Sequence, residues 1–115
     1  MLIAEDHPDL REMFRVLLEQ AGHEIVEAID GPSAVEAGVR DGLDAAFIDI
    51  GLPEFDGYEV ARRIRAARGS AMLLVALSGH GQTSDRPARD VFDEYLVKPV
   101  TPDRMKEILN RLGAS

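Results

Sequence analysis

Four short stretches of the chain carry side chains that could act together: Glu5-Asp6, Asp49, Ser78 and Lys98. They supply three carboxylates, a hydroxyl and an ammonium, and each stretch directly follows an apolar run. Carboxylates packed side by side repel one another, so folding them together calls for a cation. There is no cysteine in the chain, so the donors are oxygens, which suit a hard divalent ion. Magnesium binds through one or two carboxylates plus phosphate oxygens and keeps several waters. Lys98 adds a point positive charge fit for a phosphoryl oxygen, and Ser78 can donate a hydrogen bond to another. A metal, an ammonium, a hydroxyl and an exposed carboxylate make a phosphoryl-transfer cradle. The carboxylate can itself be the nucleophile and form an acyl phosphate. Neither a Walker A pattern nor Gly-x-Gly-x-x-Gly occurs, so ATP is unsupported as a direct substrate.

The elements that must hold these groups can be read from periodicity. Leu2 to Ala4 is a short buried strand that stops at Glu5-Asp6. Pro8 opens a helix with acids in its first turn, and Leu10, Phe14, Leu17, Leu18 and Ala21 form its apolar stripe up to Gly22. Glu24 to Ile29 is the second strand. Asp30-Gly31-Pro32-Ser33 turns into a helix whose Ala34, Val35, Gly38 and Val39 share a face. Asp44 to Ile48 is a strand running straight into Asp49. The stretch from Gly51 to Gly57 holds two glycines and a proline and cannot be helix interior. Val60, Ala61, Ile64 and Ala67 carry a third helix, closed by Gly69. Met72 to Leu77 is uniformly apolar, as a strand buried on both faces should be.

From Thr83 to Val91 the pattern is weaker, because Pro87 interrupts it. Tyr95 to Val97 is the last strand. Thr101-Pro102 opens a final helix with Met105, Ile108, Leu109 and Leu112 on its apolar face. Five strands alternating with five helices predict an α/β fold, a parallel sheet covered on both faces. Such sheets place their chemistry outside the carboxyl ends of the strands, which is where Glu5, Asp6, Asp49, Ser78 and Lys98 stand. The second strand end alone offers nothing clearly chemical.

Composition narrows the classes further. At 115 residues the chain fits one domain, 1–115. The absence of cysteine excludes disulfides, a thiolate zinc site and thiol chemistry. Thirteen basic and 21 acidic residues give a net charge of −8, which disfavours nucleic acid and anionic membrane as direct partners. No signal peptide or membrane span is visible, and the expected location is the cytoplasm.

In this order and at these strand ends, the motifs resemble the response-regulator receiver (CheY-like) domain of two-component signalling. The elements are Glu5-Asp6, Asp49 with Gly51-Leu52-Pro53 and Asp56-Gly57, Ser78-Gly79, and Tyr95-Leu96-Val97-Lys98-Pro99. The likeness runs from Leu2 to Leu112. It implies a three-layer (βα)5 sandwich of flavodoxin-like, CheY-like topology, with a five-stranded parallel sheet in the order 2-1-3-4-5. It also implies that Asp49 accepts a phosphoryl group from a phosphohistidine. Glu5, Asp6, Asp49 and the Gly51 carbonyl would hold Mg2+, and Lys98 would pair with the phosphoryl group or with Asp49. Ser78 would be the switch hydroxyl and Tyr95 the aromatic switch, and the Lys98-Pro99 bond would be cis. The implied partners are a histidine kinase or histidine phosphotransfer protein, a downstream effector or fused output or kinase domain, and a homodimer. Such a domain catalyses only its own phosphorylation and dephosphorylation.

Two departures stand out. The stretch between Gly81-Gln82 and Phe92-Asp93 is about two residues shorter than the family pattern, with Asp90-Val91 in place of a small residue and glycine. With Pro87, this implies a short or shifted fourth helix and an altered output surface. Gly79 replaces a common alanine, and His80 stands where side chains tune water access. Singly, the site residues have ordinary readings: turn or cap acids, a turn serine, a surface lysine, a partly buried core tyrosine. Read together, they would require four strand ends to mimic one site. His7, His23 and His80 read as surface residues. Two other functions compete. An aspartate-nucleophile phosphatase would need a second acid near the nucleophile, but Asp49 is followed by Ile50 and Gly51. A non-phosphorylated pseudo-receiver, serving only binding or dimerisation, would have no need of the acids, Ser78 and Lys98.

Overall fold

The structure, a computed structural model, describes residues 1–39, 43–52, 57–69, 72–78, 91–97 and 100–111. The elements run β1 (Leu2–Ala4), α1 (Pro8–Gln20), β2 (Val26–Ala28), α2 (Gly31–Gly38), β3 (Ala45–Asp49), α3 (Gly57–Arg68), β4 (Leu73–Ser78), β5 (Glu94–Val97) and α4 (Pro102–Arg111). All strand pairs are parallel, in one five-stranded sheet of order β2-β1-β3-β4-β5. This is the predicted flavodoxin-like order. It places a topological switch point at β1/β3, where the chain leaves the sheet toward opposite faces.

Strand residues alternate between two apolar layers. Leu2, Ala4, Ala46, Ile48, Leu74 and Ala76 pack on one face with Ala34 of α2 and Val60, Ala61 and Ile64 of α3. Ile3, Ala45, Phe47, Val75, Leu77 and Leu96 pack on the other with Phe14 and Leu18 of α1 and Met105 and Ile108 of α4. Phe14 and Phe47 meet with ring centroids 5.5 Å apart. The uniform apolarity of β4 follows from burial on both sides.

Local signals set the ends of the helices. Pro8 occupies the first turn of α1, and Gly22 closes it at φ +94°, its N–H donating to the Glu19 carbonyl. The Asp30 carboxylate caps α2, accepting from the Ser33 N–H at 2.9 Å and the Ser33 hydroxyl at 2.7 Å. Those hydrogen bonds, the hydroxyl's first, hold the Asp30 carboxyl below its ordinary range. Thr101 caps α4 by accepting from the Arg104 N–H at 3.2 Å.

The bounds of four strands differ from the sequence reading, β5 beginning at Glu94 rather than Tyr95. β2 is shorter than Glu24 to Ile29, because β1 offers it only a three-residue partner and Ile29 is left 55% exposed. β4 begins at Leu73 rather than Met72 and includes Ser78. β3 includes Asp49 as its last residue. Three expected core positions, Ala21, Val39 and Ala67, are exposed. Each lies in the last turn or at the C-cap of its helix. Gly79, His80 and the weak helix around Pro87 lie outside the described residues, as do Leu112, Lys98 and Pro99.

Candidate metal and phosphoacceptor site

The sheet register brings the acids together. Ala4 of β1 pairs with Ile48 of β3, so one residue further on Glu5 falls beside Asp49. Carboxylate oxygens of Glu5, Asp6 and Asp49 lie within 4.8 Å of one another. Glu5 is fully buried, Asp49 is 8% exposed and Asp6 faces solvent. The cluster thus has two fixed walls and one open side.

Backbone amides orient the two buried acids. The His7 N–H donates to Glu5 Oε2 at 3.0 Å, and the Gly51 N–H donates to Asp49 Oδ1 at 2.9 Å. The Glu5 N–H donates to the Ala28 carbonyl at 3.0 Å, and the Ile50 N–H to the Leu77 carbonyl at 3.0 Å. Both acids therefore sit on backbone that is still hydrogen-bonded to the sheet.

Gly57 is a support that the sequence reading named only as part of a motif. A Cβ there would lie 2.5 Å from the Asp49 carbonyl oxygen and 2.6 Å from Ile50 Cα. The start of α3 presses on the backbone of Asp49, and the Gly57 N–H donates to the Ile50 carbonyl at 2.8 Å. No local pattern announces this contact, because it is a tertiary approach of two segments.

Ser78 ends β4 one residue beyond Leu77, the register partner of Asp49. It pairs with Val97, the residue before Lys98. Its backbone therefore stands on the same rim; its side chain, like Lys98, lies outside the described residues. Tyr95 is partly buried and packs with the layer on the α2/α3 side. Its ring meets Phe92 at 5.6 Å, and Phe92 meets Tyr58 of α3 at 5.8 Å. Phe92 and Tyr58 had no role in the sequence reading; their aromatic character was the available signal. His7 is exposed as expected. His23 is only partly so, with Nε2 buried.

The donor set fits a hard cation. It is all oxygen, two of its members are held by amides, and the third opens to water, as magnesium requires. A doubly wound α/β sheet with such a cluster at the β1/β3 switch point defines a class: domains that handle phosphoryl groups on an aspartate with a divalent ion.

Comparison with known proteins places the chain within that class. The model of the response regulator receiver domain family matches residues 1–110, and the chain belongs to this family. It is similar to the receiver domain of the sensor histidine kinase PA1611 from Pseudomonas aeruginosa PAO1, whose structure has a magnesium ion coordinated in the active site cleft. That identity is 30%, with a TM-score of 0.85, over 99% of this chain and 96% of the other. An uncharacterized 14.6 kDa protein of Leptolyngbya boryana is 32% identical over 105 residues, 89% of this chain and 80% of its own length. The transcriptional regulatory protein ResD of Bacillus subtilis (strain 168) is 29% identical over 115 residues, 96% of this chain and 48% of ResD. The chain thus spans about half the length of that regulator. It is a phosphoacceptor receiver domain, acting on its own phosphorylation state, with an acidic cluster that could hold a divalent ion. No helix among the described residues is long and apolar enough to cross a membrane.

Proposed function

We propose that residues 1–115 form a single receiver unit in which Asp49 takes a phosphoryl group from a phosphohistidine of a histidine kinase or histidine phosphotransfer protein. The gathering of Glu5, Asp6 and Asp49 within 4.8 Å carries this reading. Bound magnesium supplies positive charge against the phosphoryl oxygens. Glu5 and Asp6, with Asp49 and the Gly51 carbonyl, hold it. The second Asp49 oxygen attacks phosphorus; the O–P bond forms as the N–P bond breaks, and the leaving imidazole keeps the electron pair and takes up a proton. The Gly51 N–H, donating to Oδ1, fixes the carboxylate plane during attack. Lys98 pairs with the new anionic oxygens. Ser78 turns to donate to one of them and Tyr95 follows inward, which shifts the population of the surface around β5. The readers of that surface are an effector, a fused output or kinase domain, or a second copy.

Incubation with acetyl phosphate and magnesium tests the reaction. Intact mass should rise by one phosphoryl group, a chelator should abolish the gain, and a generic phosphate ester should not be turned over. A protein that stays unmodified with magnesium and donor present would end the reading. Steady hydrolysis of the ester would favour the phosphatase instead.

A further inference from the structure

β2, the strand whose end offered no chemistry of its own, reaches the acid cluster through one arginine of α1. Arg11 Nη1 donates to the Glu5 carbonyl oxygen at 2.9 Å, while its Nε donates to Glu27 Oε1 of β2 at 3.0 Å. The second Glu27 oxygen lies 3.7 Å from Arg15 Nε. The Glu5 N–H is already tied to the Ala28 carbonyl, next along β2. Both peptide groups flanking Glu5 are therefore anchored to β2, one directly and one through the guanidinium.

The Glu5 carbonyl belongs to the Glu5-Asp6 peptide. Its direction sets how the chain leaves the sheet, and hence where Asp6 stands relative to Asp49. We propose that Arg11, held by Glu27, is a positioning residue for the magnesium ligands: it clamps the Glu5-Asp6 peptide and presets the spacing of the carboxylates. This rests on the reading that Glu5, Asp6 and Asp49 hold magnesium. Partners outside the direct ligands commonly change metal affinity by about 10–100-fold when mutated. The planar fork is essential, because it serves two acceptors in different directions at once. A lysine keeps the charge but offers one nitrogen and cannot reproduce the fork.

The test is a magnesium titration by calorimetry of the wild type, Arg11→Lys and Glu27→Gln, run at roughly 0.5 M potassium chloride to screen the charge change at Glu27. Urea unfolding of each protein without magnesium runs beside it. Arg11→Lys should bind magnesium about tenfold more weakly, and Glu27→Gln should weaken it in the same direction. The double variant should be little worse than Arg11→Lys, because Glu27 acts through Arg11. Glu27 is at the exposed sheet edge, so Glu27→Gln keeps the test decisive if Arg11→Lys does not fold. A merely structural arginine would lower the urea midpoint and leave the affinity of the folded protein unchanged. Variants that bind magnesium within about twofold of a binding wild type overturn the clamp alone. A wild type that takes up no magnesium overturns the site itself, and the clamp with it.

Discussion

Asp49 and Gly57 show how closely backbone and side-chain chemistry are joined here. Gly51 and Gly57 are both close to Asp49, yet they predict opposite tolerance. A Cβ at Gly51 would sit 3.7 Å from Asp49 Oδ1, an ordinary contact, so Gly51→Ala should leave stability and magnesium affinity nearly unchanged. A Cβ at Gly57 would press into the Asp49 and Ile50 backbone. Gly57→Ala should therefore cost about 1–3 kcal/mol, the range for overpacking, and weaken magnesium binding as Asp49 is displaced. Urea unfolding and calorimetry on the two variants check this. The acids themselves were legible from the sequence, since each ends an apolar run. Gly57 and Arg11 were not legible as supports. Their work depends on which segments approach in space, which no local pattern records.

Among the elements, β1 and β3 matter most, because their parallel register alone aligns Glu5 with Asp49. The existence of these strands was readable from their apolar runs. Their bounds were less so: β2 is cut back by its three-residue partner, and a partner's length is not written in β2's own residues. α2 supplies a prediction about pH. The Ser33 hydrogen bonds lower the Asp30 pKa in the folded state. Their contribution is thus present above the ordinary aspartate value near 3.9 and is lost as pH falls through the lowered folded value. Asp30→Ala should lower the urea midpoint at neutral pH. The gap to wild type should narrow as the medium is acidified below the ordinary aspartate value. An equal gap at all pH values would mean that the cap works without its charge.

For the molecule as a whole, the fold class and five-strand count followed from the alternation of elements, and the strand order from the resemblance to receiver domains. The aromatic series Tyr58–Phe92–Tyr95 did not follow. It joins the first turn of α3, which rests on Asp49, to β5. Phe92 is a large ring only 6% exposed, within the apolar layer on the α2/α3 side. Truncation by Phe92→Ala should cost roughly 3–5 kcal/mol, read as a lower melting temperature. Magnesium also acts on the whole fold. An ion that binds only the native state stabilises it by about 1.4 kcal/mol at tenfold over its dissociation constant. Wild type should therefore melt higher with magnesium, and Asp49→Asn should lose most of that gain.

The most direct measurement is the location of the phosphoryl group. After reaction with acetyl phosphate and magnesium, the protein is reduced with borohydride, digested and sequenced by tandem mass spectrometry. Borohydride converts an aspartyl phosphate to homoserine, so the mark should fall on Asp49 alone and be missing from Asp49→Asn. A label on another residue, or one that persists in Asp49→Asn, would contradict Asp49 as the acceptor.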